Sequence, residues 1–215
     1  MANKTMEEKL TEGRQYRRIM QIFEARAVGD EGGQIVEGYA TTFNQPYELW
    51  NEPGYVFREQ VDRHAFDDTD MSDVIMQYDH EGRVFARTSN GTLELRSDDH
   101  GLHIRADLSG TEIGRQLYEE IRGGYTDKMS FGFTVDEDER LIQEDNENGT
   151  MTVLRTIKRI GKLYDVSAVS LPANNATEIS ARSWCDGVIA QLTEERREAE
   201  ARERKKQKIK IMLNL

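Results

Sequence analysis

The chain of 215 residues is poor in the residues that usually announce a function. It has one cysteine, Cys185, which excludes an internal disulfide framework and a cysteine-based zinc cluster. It has no basic excess. A net charge of −11 argues against a protein held to nucleic acid by phosphate contacts, although local basic patches are compatible with it. No apolar run approaches the ~18 residues of a membrane span, and the first residues hold no apolar targeting segment, so a soluble, intracellular protein is expected. There is no internal repeat and no glycine-rich phosphate loop. With 37% hydrophobic and 32% charged residues, part of the chain is expected as an exposed helix or arm beside one substantial core.

The reading along the chain is strand-rich. Residues 1–18 are polar and read as an arm. Arg18–Val28 and Gln34–Phe43 carry patchy apolar alternation around Gly29–Gly33, a β-hairpin pattern. Residues 44–60 hold two of the three prolines and read as a long loop, followed by a short helix over Arg63–Asp67. Asp73–Tyr78, Val84–Thr88, Thr92–Arg96 and Leu102–Asp107, separated by turn residues, read as a meander. In contrast, Ile113, Leu117, Tyr118 and Ile121 fall at helical spacing, with Thr111 as cap and Gly123-Gly124 as stop. Strands over 128–135, Met151–Ile160 and Tyr164–Leu171 close the domain. The acidic stretch between them lacks the glycine and terminal glutamate of a calcium loop and reads as a solvated hairpin tip. Glu194–Lys210 has eight basic and five acidic residues. It reads as an exposed helix or tail able to dock on an acidic surface.

Five positions invite chemistry. Ser130, between Met129 and Phe131, is either a core serine bonded to backbone or a nucleophile at the rim of a sheet. His80 ends the apolar strand that finishes at Tyr78, in a turn where a histidine is either solvated or a base. Asp165 interrupts an apolar strand, and a buried carboxylate needs a partner. Arg155 and an imidazole both qualify. His100 and His103 are spaced three apart, which would suit a metal on a helix but not on a strand pair. His64 reads as surface.

The order His80, Ser130, Asp165, with its surroundings, resembles the prohead (capsid maturation) protease family of tailed bacteriophages. The resemblance runs from about Ile35 to Arg182 in four blocks. They are Glu37–Phe43, Tyr78–Gly82 with Phe85–Leu95, Ala106–Thr111 through Met129–Phe133, and Arg155–Ile157 through Tyr164–Ser167 with Leu171–Asn174. Ala86 and Lys128 stand where the family often has glycine, and Asp165 where it usually has glutamate.

The resemblance implies an α+β, mainly antiparallel fold. It would be a partly closed β-barrel with surrounding helices, like the herpesvirus capsid proteases. It implies a serine endopeptidase domain over residues 19–182, followed by a charged tail over 183–215. Ser130 would be the nucleophile, His80 the base and Asp165 the orienting acid, with Arg155–Gly161 supplying oxyanion donors. No cofactor or metal is implied. The expected protein partners are the major capsid protein or a scaffold segment as substrate, cut inside the immature shell in the host cytoplasm. The chain itself is a further expected substrate, and a homodimer is compatible with this reading. Two rivals stand beside it. One is a non-catalytic scaffold module of the shell; the other is a metal-dependent hydrolase on His100 and His103.

Overall fold

Two strands of unusual length dominate the protein, β10 (Lys128–Glu144) and β11 (Met151–Val169), paired antiparallel along their whole course. The computed structural model describes residues 13–19, 26–28, 33–145, 149–169 and 175–213. In chain order the other strands are β1 (Gln15–Ile19), β2 (Arg26–Val28), β3 (Ile35–Thr42), β4 (Tyr47–Glu52), β5 (Tyr55–Val61), β6 (Ile75–Tyr78), β7 (Glu81–Arg87), β8 (Leu93–Ser97) and β9 (Gly101–Asp107). The helices are α1 (Glu112–Arg122) and α2 (Asn175–Leu213). The fold is therefore α+β and rich in strands.

One sheet of seven strands runs β1-β10-β11-β5-β4, with β6 and β7 joined through β11. A second sheet runs β2-β3-β9-β8. Most pairs are antiparallel, but β11 pairs parallel with β5 along its first half and with β6 along its last. No closed barrel is found among the described residues.

The core lies on the sheet face that carries the odd-numbered residues of β10. Met129, Phe131 and Phe133 share that face, as the two-residue period of a strand requires, and the last two rings stack at 4.5 Å. They join Phe66, Val74, Met76, Leu102, Ile104 and Val166 in one cluster. α1 closes it with Leu117, Tyr118 and Ile121, each large side chain contributing roughly 1.5–3 kcal/mol by burial. That helix starts where the cap residue predicts: Thr111 Oγ1 accepts from the Gly114 N–H.

Several sequence expectations change. Residues 44–60 are not a loop but the hairpin β4–β5, turned by Pro53-Gly54 with Gly54 at φ 85°. Only glycine takes that conformation cheaply. Arg63–Asp67 is a run of turns closed by short-range bonds such as Ala65 N–H to Asp62 O, not a helix. The supposed meander divides: β6–β7 belongs to the large sheet and β8–β9 to the small one. The arm expected over 1–18 lies largely outside the described residues, yet Gln15–Ile19 form a sheet strand. β2 pairs with β3 as the hairpin pattern suggested.

Contacts divide the chain into residues 1–181 and 182–215. In the second unit every side chain from Glu194 to Leu213 is exposed, laced by pairs such as Glu198–Arg202 and Glu200–Arg204. Among the described residues no helix is long and apolar enough to cross a membrane.

Candidate active site

The site forms where β6 ends beside β11, with β10 on the far side of β11. In the ladder Ser130 pairs with Ser167, and Gly132 with Asp165. Side chains two apart on a strand share a face, so Ser130, Asp165 and Ser167 all rise from the face opposite the phenylalanines. β6 runs parallel beside β11 and delivers the chain to the turn Asp79-His80.

That turn is strained. Asp79 and His80 both sit at positive φ, 49° and 62°, between the paired residues Tyr78 and Glu81. A two-residue hairpin turn of this hand is usually filled by Asn-Gly, and a histidine there costs on the order of 1 kcal/mol or more. From this turn the imidazole reaches back to β10 and β11. Its Nδ1 lies 2.5 Å from Asp165 Oδ1, and its Nε2 lies 2.5 Å from Ser130 Oγ. All three side chains are buried: His80 at 0%, Ser130 at 1% and Asp165 at 2% exposure.

The surroundings hold the carboxylate in place. The Ser167 hydroxyl donates to Asp165 Oδ1 at 2.9 Å. Tyr16 stands edge-on to His80 with ring centroids 4.5 Å apart, and burial, with Asp165 nearby, pushes its hydroxyl well above the usual tyrosine range. Ser130 Oγ also donates to the Arg17 carbonyl at 2.9 Å.

Behind the sheet lies a buried ion network. Glu59 accepts from Arg17 Nη2 at 3.1 Å and from Arg155 Nη1 at 2.9 Å, and Arg155 Nη2 also meets Asp138 at 2.5 Å. Burial alone would push the Glu59 carboxyl upward, but the two guanidinium groups outweigh it and hold it below its ordinary value.

The structure thus brings Ser130, His80 and Asp165 together and separates them from the other candidates. His64 is exposed and paired with Asp67 at 3.0 Å. His100 and His103 flank Tyr39 in the small sheet. Among the described residues no cluster of three His, Cys, Asp or Glu could hold a metal. Arg155, the rival partner for Asp165, is engaged by Glu59 and Asp138. The stretch expected to supply oxyanion donors is displaced: Arg155–Ile160 pair with Val135–Arg140, well along β10 from Ser130. Sequence reasoning passed over Ser167, Gly132, Tyr16 and Glu59. For Ser167 a signal was present, since it lies two residues from Asp165 on the same strand face.

An imidazole held between a hydroxyl and a carboxylate is the arrangement by which hydrolases of unrelated folds activate an alcohol for acyl transfer. Comparison with known proteins agrees with that class. The family model of the caudovirus prohead serine protease matches residues 21–187, and the chain belongs to that family. It is a protease of phage capsid maturation. The prohead protease of Enterobacteria phage HK97 is 26% identical over 166 residues, covering 77% of this chain and 67% of the relative. Among solved structures, the bacteriophage T4 capsid assembly protease aligns at a TM-score of 0.39 and 13% identity, covering 74% of this chain and 99% of that one.

Proposed function

We propose that the chain is a serine endopeptidase in which Ser130 is the nucleophile, His80 the general base and Asp165 its orienting carboxylate. The observation that carries this is the single imidazole bridging Ser130 Oγ and Asp165 Oδ1 at 2.5 Å each. With its proton on Nδ1 donated to Asp165, His80 offers Nε2 to the serine proton. Ser130 then attacks the scissile carbonyl, and His80 passes the proton to the leaving amine. Asp165 stabilises the imidazolium formed on the way.

The family supports capsid-protein or scaffold substrates, and on this reading capsid-protein arms or scaffold segments are cut inside the immature shell in the host cytoplasm. On this reading residues 19–182 carry the protease, its sheets correspond to the partly closed barrel of the herpesvirus enzymes, and the charged helix after residue 182 serves to dock it. Capsid assembly by a non-catalytic module would require none of the buried polar contacts around His80.

The test is labelling with a serine-directed fluorophosphonate. Covalent mass on Ser130, absent in His80→Ala, supports the reading. Label on another residue, or equal labelling in His80→Ala, would exclude it.

A further inference from the structure

A nucleophile buried to 1% exposure cannot meet another chain, so what covers it has to be explained. The cover is β1. This strand runs antiparallel along β10 with Arg18 opposite Ser130 and Tyr16 opposite Gly132. An extended peptide adds to a sheet edge in this way. Tyr16 packs on His80, and the Arg17 carbonyl accepts the Ser130 hydroxyl at 2.9 Å. Ser130 has one proton for two acceptors, Arg17 O and His80 Nε2. The family match begins at residue 21, so β1 stands outside the part of the chain that the family model matches.

The Arg17 side chain crosses to the other face of the sheet and enters a pocket that suits it. It is 1% exposed, and its Nη2 lies 3.1 Å from Glu59 Oε2. Tyr47 donates to the same carboxylate. The charges assign Glu59 to Arg17. Arg155 is shared with Asp138 at 2.5 Å, a carboxylate that Arg140 approaches only at 3.8 Å, so with Arg17 gone Glu59 would keep no guanidinium of its own. An emptied pocket with that residual negative charge favours a basic side chain, and the bidentate geometry favours arginine.

We propose that β1 is the chain's own first substrate, held in the substrate cleft with Arg17 in the Glu59 pocket, and that the Arg17–Arg18 peptide bond is the one cut. Other substrates carry arginine at the corresponding position. This rests on the assignment of Ser130, His80 and Asp165. In the step, Ser130 Oγ bonds to the Arg17 carbonyl carbon and its proton passes to His80. The bond to the Arg18 nitrogen breaks as that nitrogen takes the proton. Water then hydrolyses the ester, restoring Ser130, so that one water is added across the bond. Departure of residues 1–17 removes Tyr16 from His80 and Arg17 from Glu59, and opens the cleft.

The purified full chain and its Ser130→Ala variant are incubated and followed by intact mass and N-terminal sequencing. A synthetic peptide of residues 13–22 and its Arg17→Glu version are then offered to the processed enzyme. The inference expects a new N-terminus at Arg18 in the wild type alone. It also expects the peptide to be cut between Arg17 and Arg18, with the Arg17→Glu peptide slower by about a hundredfold or more. Because Glu59→Gln could disturb folding, the peptide pair carries the specificity test. Ser130-dependent cleavage elsewhere with residues 1–17 retained overturns this inference and leaves the protease reading intact. Equal cutting of both peptides overturns the Glu59 pocket. Loss of residues 1–17 from Ser130→Ala as well, or no cleavage by either protein, overturns the inference too.

Discussion

Gly132 faces Asp165 across the ladder with no room for a methyl group: a Cβ built there would fall 2.4 Å from Asp165 Oδ2 and 2.7 Å from the Tyr16 ring. The glycine in Ser130-Phe-Gly132 is thus a clearance for the carboxylate bonded to His80. Gly132→Ala should fold, because the strand continues on both sides, but should push Asp165 out of line. A displacement near 1 Å at such a site costs about a hundredfold in rate. Peptide turnover, with circular dichroism to show the fold retained, measures it. Unchanged turnover would mean that the carboxylate position is not critical.

Asp165→Asn keeps the shape of the side chain but cannot stabilise the imidazolium or enforce its tautomer. We expect a loss of about four orders of magnitude in kcat with little change in KM. Ser167→Ala removes only one hydrogen bond donated to the carboxylate, leaves its charge and its bond to His80, and should cost far less. If the two variants lose the same amount, Asp165 is not the orienting group. Asp165→Glu must fit its added methylene against Gly132 and should be impaired.

His80→Ala should be as inactive as Ser130→Ala, and the double variant no worse, since such groups act as a unit. His64, His100 and His103 lie outside the site and their alanine variants should keep full turnover. An active His80→Ala would move the base elsewhere.

Acid should weaken the fold through Glu59. Its carboxyl is depressed in the folded protein, since Arg17 and Arg155 outweigh its burial. A depressed group contributes stability that is complete above the unfolded value of about 4.3 and is lost as pH falls through the folded one. The melting temperature of the uncleaved chain, kept intact as Ser130→Ala, should therefore drop below about pH 4, and more steeply than when Glu59→Gln is added to it. Parallel curves would show that the ion network does not control acid unfolding.

What the sequence disclosed and what it hid follow from the range of the interactions. The helix at Glu112–Arg122 was legible because its cap and apolar spacing are local, and so was the alternation that buries Met129 and Phe131. Ser130, His80 and Asp165 could be nominated from strand-end position and family resemblance. Their approach depends on β6 pairing parallel with β11, which no local pattern encodes. Arg17 illustrates the opposite failure. A charged residue in a polar stretch reads as solvated, and it is buried only because Glu59, distant in sequence, supplies its counter-charge. The β4–β5 hairpin was missed because Glu48, Asn51 and Glu52 mask an alternation whose one clear sign is Pro53-Gly54.

The most direct measurement is co-expression of the chain, or its Ser130→Ala variant, with the capsid protein of the same phage, followed by N-terminal sequencing of every fragment. Removing one oxygen changes packing little, whereas losing the nucleophile removes several orders of magnitude in rate. The account predicts a defined set of capsid-protein fragments with the wild type and none with a well-folded Ser130→Ala. The same fragments from Ser130→Ala would contradict it.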